Sequence, residues 1–159
     1  MKQTILSKWM KFIIWGVGIC GLVVYTLIIP MMGQTIAAQN IEFDYCYWPW
    51  LIFIWATGIP CYIAIALAWK IAENIGTDKS FSLSNAKLLR WISVLAAGDG
   101  IFFFAGNIVF LFLNMNHPGI VLFSLIAVFA GFAVAVVSAI LSHLVTKASA
   151  LQEQSDWTI

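Results

Sequence analysis

Residues 118–141 read PGIVLFSLIAVFAGFAVAVVSAIL, a run without one charged side chain. A helix rises about 1.5 Å per residue and the hydrocarbon core of a bilayer is about 30 Å thick, so roughly 20 such residues cross it. Working outward from this run, three further windows meet the same requirement, at about 91–113, 48–69 and 12–32. Over all 159 residues the chain is 62% hydrophobic and 9% charged, against roughly 25% charged in an ordinary soluble domain. A water-soluble fold of this size has nowhere to hide that much apolar surface, whereas a bilayer tolerates it. The sequence therefore predicts an all-α polytopic membrane protein. Its single domain, 1–159, is a bundle of four transmembrane helices with a loop at 70–90 and a tail at 142–159.

The basic residues set the expected orientation. Lys2, Lys8 and Lys11 precede the first span; Lys70, Lys79, Lys87 and Arg90 lie between the second and third; Lys147 follows the fourth. The other two loops hold none, and such charge accumulates on the cytoplasmic side. Both termini and the 70–90 loop are thus expected in the cytoplasm, with the chain in a bacterial cytoplasmic (inner) membrane and lipid as its surroundings. Trp9, Trp48, Trp50, Trp69 and Trp91 fall near span ends, where an amphipathic ring prefers the headgroup zone. Net charge is near zero, which points away from direct nucleic-acid binding.

Asp99, in Ala97-Gly98-Asp99-Gly100, is the one acidic residue inside a span. An aspartate at the bilayer centre is unfavourable by about 2.5–3.5 kcal/mol, so it should face the bundle interior or water. No intramembrane lysine or arginine is available to pair with it. Its carboxyl is expected to be protonated, or hydrogen-bonded to hydroxyl, amide or water partners. Two readings stand side by side: a proton- or cation-responsive carboxylate, and a polar clasp that fixes helix packing. Asn107 follows about 80° round the same helix and forms, with Asp99, the candidate intramembrane polar site. The glycines flanking Asp99 would admit a close neighbour.

Several classes are disfavoured. His117 and His143 are 26 residues apart, roughly 39 Å along a helix, and cannot ligate one haem iron in a single chain. Cys20 and Cys61 lie in spans, where small apolar packing is the expected role, and Cys46 lies in a loop. The three make neither a disulfide framework nor a zinc motif. Walker, GxSxG, HExxH and Rossmann motifs are absent. No enzyme activity, catalytic residue, cofactor or metal is expected.

Three local features refine the architecture. The turn Asn114-Met115-Asn116-His117-Pro118-Gly119 predicts a tight hairpin between the last two spans, with Pro118 in the first helical turn and His117 in a capping role. Ala127, Gly131, Ala135 and Ala139 form a small-residue ridge for close contact, within the bundle or between protomers of a homo-oligomer. Pro60 removes a backbone hydrogen bond from the second span. In the 70–90 loop, Ser82 or Ser84 is a candidate N-cap for a helix running through Lys87 into the third span. The tail continues the fourth helix and carries the stripe Leu141, Leu144, Val145, Ala148, Leu151. Lys79, Phe81, Lys87, Arg90 and Leu151 are the candidate partner-binding surface, with mutual packing of loop and tail as the alternative.

Taken as a set, certain segments look familiar. They are Lys79-Ser80-Phe81-Ser82 with Asn85-Ala86-Lys87-Leu88-Leu89, Gly98-Asp99-Gly100 through Gly106-Asn107, Leu113 to Ile120, and the ending Ala150 to Ile159. The chain resembles the bacterial membrane family known as domain of unknown function 2975 over essentially its whole length. Many relatives have leucine where this chain has Trp157. The resemblance implies four transmembrane helices and no established reaction. It also implies a gene pairing with a very small helix-turn-helix regulator. The expected function is a non-enzymatic membrane regulator or sensor that binds such a cytoplasmic transcription factor. The alternatives are a small transporter or channel subunit using Asp99, and a membrane-protection or immunity protein.

Overall fold

The computed structural model describes residues 3–156, and side chains through Gln154. Lys2 of the basic set and Trp157, Thr158 and Ile159 of the ending lie outside the described residues. The chain is helical throughout: α1 (Gln3–Val23), a π-helical turn (Val24–Ile28), α2 (Ile29–Gln39), a 3-10 segment (Ile41–Cys46), α3 (Tyr47–Gly76), α4 (Leu83–Phe112) and α5 (Pro118–Asp156). Four helical stretches are long and apolar enough to cross a membrane: Gln3–Gln39, Ile41–Gly76, Leu83–Phe112 and Pro118–Gln154.

Every stretch extends beyond the apolar window that announces it. The first continues past Met32 to Gln39, the second past Trp69 to Gly76, and α4 begins at Leu83, well before Trp91. Polar residues at these ends keep their backbone bonded within the helix, so the helix outlasts the hydrophobic run. Pro60 lies inside α3, which runs on through it to Gly76.

Local chemistry explains each turn. At the end of α3, Lys79 N donates to Asn74 O at 3.0 Å and Asp78 N to Ile75 O at 3.3 Å, with Asp78 at φ 58°. At the end of α4 the same pattern recurs: Met115 N to Phe110 O at 2.8 Å, Asn114 N to Leu111 O at 3.1 Å, and Asn114 at φ 55°. Both are Schellman terminations, with Asp and Asn in place of glycine at the left-handed residue. Ser82 then caps α4 by accepting from Asn85 N at 3.3 Å. His117 Nδ1 caps α5 by accepting from Gly119 N at 3.0 Å. The α4–α5 hairpin is thus as tight as its turn sequence requires.

The helices pack in chain order and do not close. The α1–α2 stretch lies along α3, α3 against α4, and α4 against α5; among the described residues α5 touches neither α1 nor α3. The four expected spans are present, and they are arranged as an open row. The burial pattern shows the cause, because each helix has only one or two narrow protein-facing strips. On α5 the inner strip is Val121, Ser124, Val128, Ala135 and Ser138. The predicted small-residue ridge is therefore half right: Gly131 and Ala135 face α4, whereas Ala127 and Ala139 point outward.

The ends of the row are fastened differently. Near the termini, the buried Ser7 Oγ donates to Ala72 O at 2.6 Å and Ser142 Oγ to Ala86 O at 2.7 Å. The Gln3 amide, turned so that its nitrogen faces the acceptors, reaches Asp78 Oδ1, Ile75 O and Ser80 Oγ at 3.0, 3.1 and 2.9 Å. Residue 3, the 77–82 connection and the later turns of α5 therefore share one end. Toward the other end, the Phe53 ring stacks on Phe103 at 5.8 Å and meets Phe102 and Phe110 at 5.3 and 5.2 Å. That aromatic knot fills the α3–α4 interface.

Candidate functional site

Two regions carry chemistry: a polar cluster within the spans and a surface at the terminal end.

The cluster starts from a backbone defect. In the π-helical turn, Ile29 N bonds five residues back to Val24 O. The next bond in that register would join residue 30 to Tyr25 O, but Pro30 has no N–H. Trp55 supplies the missing donor: its indole Nε1 reaches Tyr25 O at 2.9 Å from α3. Nearby, Tyr62 Oη donates to Gly18 O at 2.9 Å, so α3 contributes two side-chain donors to the backbone of α1 and its π turn. Tyr25 Oη in turn lies 3.2 Å from Thr57 Oγ1, which donates to Ile54 O at 2.7 Å. Tyr25 also packs on Gly58, where a Cβ would come within 3.2 Å of the ring.

Thr57 and Cys61 are one helical turn apart and share a face of α3. Cys61 Sγ lies 3.7 Å from Asp99 Oδ2 and donates to it. Asp99 Oδ1 is buried without a hydrogen-bond partner among the described residues. Three helical stretches thus converge on one polar group, through the sequence Tyr25, Thr57, Cys61, Asp99. On the α5 side the surroundings are apolar: a Cβ at Gly100 would meet Phe132 at 3.6 Å. Only one glycine flanking Asp99 serves close packing, since Gly98 faces open space.

Asn107 has another role. It is buried, donates to Phe103 O at 2.8 Å and accepts from Asn116 Nδ2 at 2.9 Å; Asn116 Oδ1 then accepts from His117 N at 3.0 Å. It pins the α4–α5 turn to α4 and shares no hydrogen bond with Asp99 among the described residues. The two residues of the predicted polar site are placed apart, because an 80° offset is enough to aim them at different neighbours.

At the terminal end, Asn85 is 1% exposed and acts as a clamp. Its Oδ1 accepts from Asn74 Nδ2 at 2.7 Å, and its Nδ2 donates to Lys79 O and Ser80 O, both at 3.0 Å. The 77–82 connection is held in one shape, and Lys79, Phe81, Lys87 and Arg90 project outward around it. Phe81 is 59% exposed and Leu151, farther along α5, 67% exposed. Leu141 and Leu144 also face outward, whereas Val145 and Ala148 of the same stripe are partly buried. Lys11 is engaged elsewhere, 3.8 Å from Glu73 and 5.2 Å above the Trp69 ring.

Residues 31–159 match the family described as Protein of unknown function (DUF2975). The chain belongs to this family. It is 28% identical over 145 residues to the "Uncharacterized membrane protein YoaS" of Bacillus subtilis (strain 168), covering 90% of this chain and 91% of that one. No solved structure matches. This DUF2975 protein is accordingly an all-helical membrane protein.

Sequence reading missed several participants in these regions, among them Tyr25, Trp55, Thr57 and Asn85. Tyr25 and Trp55 carry no sequence signal for their pairing, because Pro30 would leave the residue 26 carbonyl free in a regular helix and faces Tyr25 O only in the π register. Asn85 falls in the first turn of the helix that the Ser82 or Ser84 cap predicts, but nothing in the sequence marks it as the residue that ties the 77–82 connection. Cys20 and Cys61, expected to fill apolar packing, are exposed at the protein surface, and Cys46 is buried. Cys61 bonds to a carboxyl rather than filling apolar space.

Proposed function

We propose that this DUF2975 protein is a non-enzymatic regulator of the bacterial cytoplasmic membrane. Its terminal end faces the cytoplasm and binds a small helix-turn-helix transcription factor. One observation carries the reading: Phe81 stands exposed on a connection tied by three Asn85 hydrogen bonds. Lys79 is exposed on the same connection, and Lys87 and Arg90 are exposed on the first turns of α4. Aromatic and arginine side chains are the residue types that anchor interfaces. A preformed platform loses little ordering entropy on binding. The outward leucines of the α5 tail extend the apolar surface. The clustering of lysine and arginine at this end supports its cytoplasmic orientation, and the family's implied pairing with a small regulator supplies the partner class. A homo-oligomer is compatible with the open helix row.

The test is recruitment. In cells carrying the tagged chain, Phe81→Ser with Arg90→Glu should release the regulator from the membrane fraction and change expression of its targets, while the membrane protein stays inserted. Unchanged fractionation and expression would end the proposal.

A transporter or channel subunit is the second reading, and the unpartnered oxygen of Asp99 favours it. The open row encloses no path of its own, so transport would need further copies. Proton or cation flux into proteoliposomes, lost on Asp99→Asn, would establish it.

A further inference from the structure

Asp99 lies near the middle of α4, with 16 residues of the helix before it and 13 after. α3 and α5 are the elements packed on α4. From α3 the titratable group facing the carboxyl is Cys61, with Tyr25 behind it on the π turn; α5 brings Val128 and Phe132 to this level. The apolar windows 12–32, 48–69, 91–113 and 118–141 contain no lysine or arginine to act as counter-charge. A carboxylate here would therefore have one weak thiol donor on Oδ2 and nothing on Oδ1. Unpaired charge in such surroundings is far costlier than a neutral acid.

A hard metal cation fits no better. Such ions take about six oxygen ligands, whereas the groups here are one carboxyl, one thiol and, a helical turn away, two hydroxyls. A proton asks for much less. Protonation removes the charge from the buried Oδ1, which has no hydrogen-bond partner among the described residues, while Oδ2 keeps the Cys61 thiol. Cys61 and Tyr25 lie on two continuous helical stretches that each lack one backbone donor, at Pro60 and at Pro30.

We propose that Asp99 is an intramembrane proton-binding site held by the Cys61 thiol, with the Tyr25–Thr57 hydroxyl pair one helical turn away along α3. Oδ1 takes a proton from water to give the neutral acid, and returns the same proton to water on release; Oδ2 keeps the Cys61 thiol throughout. No other bond forms or breaks. Loading is a property of the spans and does not rest on partner binding at the terminal end.

Infrared spectroscopy of the full chain in liposomes tests this directly. At pH 7 an ordinary carboxylate is ionised, so a carboxylic-acid C=O band marks a carboxyl held neutral. The wild type should show one such band, which shifts in D2O, fades at alkaline pH and is lost in Asp99→Asn. Should Asp99→Asn not fold, Cys61→Ala should move the band, because Oδ2 then loses its donor. Absence of the band in the wild type overturns the proposal. So does a band that neither exchanges nor titrates, which marks a permanent packing clasp, and so does a band indifferent to both substitutions.

Discussion

Replacing Asn85 by alanine should open the terminal-end platform. Asn85 makes three side-chain hydrogen bonds, to Asn74, Lys79 and Ser80, from a site 1% exposed. At about 1 kcal/mol net for each bond, their loss amounts to about 3 kcal/mol. One decade in an equilibrium constant corresponds to about 1.4 kcal/mol, so the opening equilibrium of the 77–82 connection should rise roughly 100-fold. Asn74→Ala removes one of the three bonds and leaves the backbone bonds to Asn74 O intact, so its effect should be nearer 5-fold, for about 1 kcal/mol. Amide hydrogen exchange on the chain in nanodiscs reads both, with residues 107–117 as an internal control. Equal exchange in wild type and Asn85→Ala would refute the clamp, as would an Asn74→Ala effect as large as that of Asn85→Ala.

Three further outcomes are expected. Trp55→Phe leaves Tyr25 O, which Pro30 cannot serve, without its indole donor, and should cost about 1–3 kcal/mol in denaturant unfolding of the detergent-solubilised protein; an unchanged midpoint contradicts the role given to Trp55. Gly106→Ala drives a methyl into the Phe53 ring, which Phe102, Phe103 and Phe110 hold in place. It should cost about 1–3 kcal/mol, while Gly98→Ala, with open space around it, should be tolerated in the same unfolding assay. With Cys20, Cys46 and Cys61 changed to alanine, a membrane-impermeant thiol reagent applied to intact cells should label Asn116→Cys and spare Lys79→Cys; the reverse would invert the orientation.

The fold was legible where one helix suffices to state it. Four apolar runs give four spans whatever their neighbours do, Ser82 announces its cap, and the 114–119 turn announces its hairpin. What escaped depends on the rotation of one helix against another. Nothing along α5 says that Ala127 turns outward while Ser124 and Ser138 turn in, and nothing along α4 says that Asp99 meets Cys61 while Asn107 meets Asn116. The open row escaped for the same reason, since lipid and protein satisfy an apolar face equally well. Asp99 itself was legible because a carboxyl in a span is costly wherever it points. Its surroundings were not legible, because the groups that form them come from α3 and the π turn.

The most direct measurement is a photo-crosslinking amino acid placed at residue 81 in living cells, with residue 116 as the control at the opposite end. The regulator reading predicts one small DNA-binding protein captured from residue 81, none from residue 116, and loss of capture with Arg90→Glu. Capture of lipid alone from residue 81, or of the same proteins from both residues, would contradict it.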